Sequence, residues 1–125
     1  MKKDNIHLHI KSLVNEVWKD NSKYDENYYN IISILKKELK KCPDDIIVLT
    51  NLGAAYCDTA KYKEAEEHLR KAITLGSNDR NTYFNLGVAV INSASQEDAK
   101  KYFKKSHAFL KNELTYEAYI DFQAH

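Results

Sequence analysis

The sequence predicts an all-α fold of antiparallel helix hairpins, and three observations carry that expectation. Apolar residues recur at gaps of three and four through almost the whole chain, which puts one apolar stripe on each of several helices. Only 3 glycines and 1 proline occur among 125 residues, too few for a fold rich in β-turns. Finally, residues 46–79 align with residues 80–113 without a gap, at a shift of 34. Self-similarity at such a period marks a stack of repeated helical units.

The first helix is expected over about 4–20, with Asp4 as N-cap and Ile6, Ile10, Leu13, Val14, Val17 and Trp18 as its stripe. The polar run Asp20-Asn21-Ser22-Lys23-Tyr24-Asp25 reads as a turn. A second helix, about 26–41, gathers Tyr28, Ile31, Ile32, Leu35 and Leu39 on one side. Lys40 and Lys41 suit its C-terminal end, where carbonyls leave partial negative charge, and Pro43 stops it. Asp44 or Asp45 caps a third helix, about 46–58, holding Leu49, Leu52, Gly53, Ala55 and Tyr56. The β-like run Ile46-Ile47-Val48-Leu49 follows those two aspartates, so a capped helix is the expectation there too.

A fourth helix, about 61–75, buries Tyr62, Ala65, Leu69, Ala72 and Ile73, and Gly76 ends it. Ser77 or Asn78 opens a fifth, about 79–92, with Tyr83, Leu86, Ala89 and Val90 inward. Ser95 followed by Asp98 resembles a capping box before a sixth helix, about 96–110, with Ala99, Phe103 and Phe109. A last helix, about 113–123, offers Leu114, Ala118, Tyr119 and Phe122 as a C-terminal cap. Short connections make neighbouring helices antiparallel.

The repeat is specific. Asn51, Leu52, Gly53, Ala55, Ala60, Ala65, Lys71 and Asn78 recur as Asn85, Leu86, Gly87, Ala89, Ala94, Ala99, Lys105 and Asn112. Leu49 becomes Tyr83 and Leu69 becomes Phe103, so bulk is kept. Glycine inside a helix costs about 1 kcal/mol against alanine. Its recurrence at Gly53 and Gly87 therefore points to a helix that approaches too closely for a Cβ, with Ala65 and Ala99 as small partners on the facing helix.

On these residues the chain resembles the tetratricopeptide repeat family. Leu49, Leu52, Gly53, Tyr56, Ala65, Leu69 and Ala72 match the family pattern in 46–79, and Tyr83, Leu86, Gly87, Ala99 and Phe103 match it in 80–113. A degenerate first unit places Tyr28, Ile31, Leu35 and Pro43 in register, although Trp18 and Lys19 stand where Leu-Gly is expected. The resemblance implies a single domain, 1–125: a divergent N-terminal helical hairpin at 4–45, repeats at 46–79 and 80–113, and a capping helix at 114–125. It also implies an α-α superhelix whose first helices line a concave groove. The groove positions here are Thr50, Asn51, Ala54, Asp58, Asn81, Phe84, Asn85, Val88 and Asn92. Such a surface suits a peptide held by asparagine amides and apolar contacts.

One subclass of the family grips acidic chaperone tails with a clamp of Lys, Arg and Asn. Its positions fall on Thr50, Ala54, Asn85, Thr115 and Tyr119, and only Asn85 matches.

Nineteen Lys+Arg oppose 18 Asp+Glu, so nucleic acid is not the expected partner. No apolar run approaches the ~20 residues that span a bilayer, and no membrane partner is expected. The N-terminal stretch lacks the apolar run of a secretory signal, and Cys42 and Cys57 form no CxxC pair, so a cytoplasmic location is expected. His7 and His9 point to different sides of a helix, His68 and His107 stand alone, and no glycine-rich phosphate loop occurs. No enzyme, metal or cofactor is therefore expected. The sequence reads as a protein-binding adaptor. Two alternatives stand beside it: a small inhibitor of one enzyme, of the immunity-protein or antitoxin type, and weak end-to-end self-association through Leu114, Tyr119 and Phe122.

Overall fold

A computed structural model describes residues 2–118. These form six α-helices and one 3-10 turn, with no strand among the described residues. The helices are α1 (Lys3–Lys19), α2 (Tyr24–Lys41), α3 (Ile46–Asp58), α4 (Tyr62–Thr74), α5 (Arg80–Ser93) and α6 (Gln96–Ser106). No described helix is long and apolar enough to cross a membrane.

Helix α1 buries His7, Ile10, Leu13, Val14 and Val17. It starts one residue before Asp4, which lies in the first turn instead of capping it. Trp18, expected in the stripe, is 53% exposed, because one residue beyond Val17 the helix has already turned about 100° away from the core. Asp20 accepts hydrogen bonds from the Ser22 amide and hydroxyl and so nucleates the 3-10 turn Asn21–Lys23. Between Asp44 and Asp45, the second is the cap of α3: its Oδ1 accepts from Ile47 N at 3.0 Å and Val48 N at 3.1 Å.

Every residue of α3 from Val48 to Asp58 is buried. A helix apolar almost all round must be enclosed, and α3 packs against α2, α4 and α5. Gly76, at φ +98°, ends the run that closes α4. Its amide bonds Ile73 O, and the Ser77 amide bonds Ala72 O. The cap of α5 is Asp79, not Ser77 or Asn78, for the Asp79 carboxylate accepts from Asn81 N at 3.0 Å while Ser77 turns its hydroxyl inward to Thr82. Ser95 caps α6 through Asp98 N, as expected. That helix stops at Ser106, short of the expected 110. Phe109 lies beyond it and stacks on Tyr83 with ring centroids 5.0 Å apart.

Successive helices pack as neighbours: α3 on α4, α4 on α5 and α5 on α6, with α3 also alongside α5. The two helical glycines sit where the sequence predicts a close approach. A Cβ on Gly53 would lie 2.4 Å from Leu69 Cγ, and one on Gly87 would lie 2.7 Å from the Phe103 ring.

The expected C-terminal capping helix is corrected over its described part alone. Residues 113–118 are not helical, and the rest of that stretch, 119–125, lies outside the described residues. Residues 113–118 instead form a strap across α3 and α5. The reason is geometric. An extended chain advances about 6.6 Å in two residues, against about 3 Å in a helix. Only the former approaches the spacing of side-by-side helices, about 8–10 Å.

Candidate functional site

The two asparagines that recur at a shift of 34 hold the strap. Asn51 Nδ2 donates to Leu114 O at 2.8 Å, and its Oδ1 accepts from Tyr116 N at 3.2 Å. Asn85 Nδ2 donates to Tyr116 O at 3.0 Å, and its Oδ1 accepts from Ala118 N at 2.8 Å. Each amide thus bridges the carbonyl of one strap residue and the amide of the next but one. Both asparagines are fully buried, at 0% exposure. A buried amide with both ends satisfied is a favourable element, and one with an end left open costs about 1–3 kcal/mol.

Side chains lock the strap at its N-terminal end. Asp79 Oδ1 accepts from Asn112 N at 2.9 Å, and Asp79 Oδ2 accepts from the Thr115 hydroxyl at 2.6 Å. Asn81 Nδ2 donates to the same Thr115 Oγ1 at 3.0 Å. From α1, Lys11 Nζ donates to Glu113 O at 2.6 Å. Tyr116 and Ala118 are buried, at 7% and 1% exposure. Burial, and after it the Asp58 carboxylate, push the Tyr116 phenol well above its ordinary value. Asp58 itself is buried and accepts a hydrogen bond from the Tyr28 hydroxyl.

The nine groove positions expected from the sequence divide accordingly. Asn51, Asn81 and Asn85 contact the strap. Thr50 faces α5 instead, with its hydroxyl 2.7 Å from that of Thr82. Ala54 and Val88 are part of the buried core. Asp58 meets α2 through Tyr28. Phe84 tilts against Phe103 at 5.4 Å, and Asn92 Nδ2 bonds Val88 O of its own helix. The residues that sequence reasoning missed are His7, Asp79, Thr115, Tyr116 and Ala118. The asparagine repeat was the one signal available for them, since it marked where a chain would lie but not which chain.

His7 braces the first rung from behind. Its Nδ1 lies 3.1 Å from Asn51 Nδ2. The amide nitrogen can only donate, so Nδ1 is the bare acceptor and the ring is neutral. Burial holds the imidazole below its ordinary 6.5, with Lys3 pushing the same way and Asp45, Glu38 and Asp4 pulling against it. The unfolded chain therefore takes up a proton at a pH where the folded chain does not. The stability owed to neutral His7 is complete above 6.5 and is lost as pH falls from there towards the folded value. Melting temperature should drop as pH falls below about 6.5, and His7→Gln should flatten that drop. Equal slopes in both proteins would show that His7 is not the titrating group.

Among the described residues, no cluster of three His, Cys, Asp or Glu side chains is placed to hold a metal ion. Residues 47–76, the stretch of α3 and α4, match the family model described as a tetratricopeptide repeat. No curated protein matches the chain.

Proposed function

We propose that this chain, a tetratricopeptide repeat protein, is a non-catalytic adaptor that holds an extended segment of a protein partner along α3 and α5. The observation that carries this reading is the pair of asparagine rungs. On the strap they bind only backbone atoms, so any extended chain offers them the same groups. Groups fixed before binding leave less ordering to be done on association. The surroundings also favour a polypeptide over a small metabolite, since the bonded groups run along a line instead of converging on one centre. A cytoplasmic setting is part of the same proposal.

Capture from native cell extract, followed by mass spectrometry, tests the proposal. Wild-type protein should retain a defined partner, and Asn85→Ala should retain it about tenfold less well. Circular dichroism of Asn85→Ala should still report a helical chain. Equal capture by both proteins would remove the rungs from the binding site. Turnover of a metabolite by the purified protein, with no polypeptide retained, would overturn the adaptor reading altogether.

A further inference from the structure

The groove is already filled, and its occupant is part of the same chain. All four rung bonds end on strap backbone atoms: Leu114 O, Tyr116 N, Tyr116 O and Ala118 N. Selectivity must then come from the side chains that the strap inserts. Tyr116 carries the one aromatic ring of the described strap and Ala118 a single methyl group, and both are buried, at 7% and 1% exposure. Thr115 supplies a hydroxyl to Asp79 and Asn81.

The occupant is imperfect. The Tyr116 hydroxyl and Asn81 Oδ1 are both buried and meet no hydrogen-bond partner among the described residues. Removing an uncompensated buried hydroxyl strengthens an interaction, whereas removing the ring that carries it opens a cavity. Phenylalanine is therefore the better residue at this position.

We infer that the strap is a resident competitor, and that the groove accepts from a partner an extended segment with an aromatic ring, phenylalanine above tyrosine, two residues before a small one. This rests on the adaptor reading and gives that partner its chemistry. A tethered strap acts at an effective concentration of about millimolar. A matching segment therefore enters efficiently only when it binds better than the strap or when the strap is loosened.

Fluorescence anisotropy with labelled, amidated peptides tests this on the full chain. The probes are the strap sequence Asn-Glu-Leu-Thr-Tyr-Glu-Ala and two versions with phenylalanine or alanine in place of the tyrosine. The Tyr116→Ala protein should bind the tyrosine peptide at least about tenfold more tightly than wild type does. On that variant the phenylalanine peptide should bind about tenfold more tightly than the tyrosine peptide, and the alanine peptide should be the weakest. Equal binding to wild type and to Tyr116→Ala, or no binding to a folded Tyr116→Ala protein, would overturn the inference.

Tyr116→Phe gives a second reading that does not depend on Tyr116→Ala folding. It should raise the melting temperature and weaken peptide binding further, because the resident strap then fits better. A lowered melting temperature would overturn the inference as well. If the peptides fail while wild type still captures a partner that Asn85→Ala loses, the adaptor reading stands and the competitor alone is lost.

Discussion

Gly53→Leu should lower the free energy of unfolding by about 3 kcal/mol, at the upper end for an overpacked core. Even the first added atom has nowhere to go, since a Cβ at this position lies 2.4, 2.6 and 3.0 Å from three atoms of the Leu69 side chain. Leu69 is itself at 0% exposure, so it cannot swing into solvent. A gain in helix propensity, about 1 kcal/mol for glycine to alanine, offsets only part of this. Gly87 provides the internal contrast. Its obstacle is the Phe103 ring edge, and Phe103 is only partly buried, so the ring has somewhere to move. The same substitution at Gly87 should therefore cost less than at Gly53. Urea denaturation of both variants measures the difference, and an unchanged midpoint for Gly53→Leu would show that α3 and α4 are not in tight contact.

Asp79→Ala should have an effect of similar size, by a different route. One carboxylate caps α5 through Asn81 N, receives Asn112 N and receives the Thr115 hydroxyl. Loss of an N-cap costs about 1 kcal/mol. The buried Thr115 hydroxyl then loses a charged acceptor, at about 1–3 kcal/mol, whereas Asn112 is exposed and its amide can turn to water. A net loss of about 3 kcal/mol is expected, with the strap released from its N-terminal end. Hydrogen exchange should show amides of 112–118 losing protection while those of α3 keep theirs. Unaltered exchange in 112–118 would mean that the asparagine rungs alone hold the strap.

The helices were legible because their causes are local. Stripes at gaps of three and four, the Asp45 and Ser95 caps and the left-handed turn at Gly76 all act within a few residues. The close approaches at Gly53 and Gly87 were legible through repetition, since a residue that is unfavourable in a helix recurs at the same register. The strap was not legible. Leu114 and Ala118 stand at helical spacing, and nothing near them breaks a helix. What extends this segment is a set of amides 31 to 65 residues earlier in the chain. No local pattern carries that information. Asp79 was missed for a related reason. Three polar residues in a row, Ser77, Asn78 and Asp79, are all competent caps, and the choice among them fell to the strap contacts that only Asp79 also makes.

The bond from Lys11 to Glu113 joins positions 102 apart and connects α1 to the strap. In a stack of helix pairs, cohesion passes only between neighbours, and the terminal units open first. Here α1 and the strap also meet at His7, which touches the Asn51 amide that holds Leu114 and Tyr116, so loosening of the strap should be felt at α1. Closing so long a loop is also slow compared with forming a hairpin. The helices should therefore assemble first and the strap last, leaving the asparagines briefly exposed in every folding event.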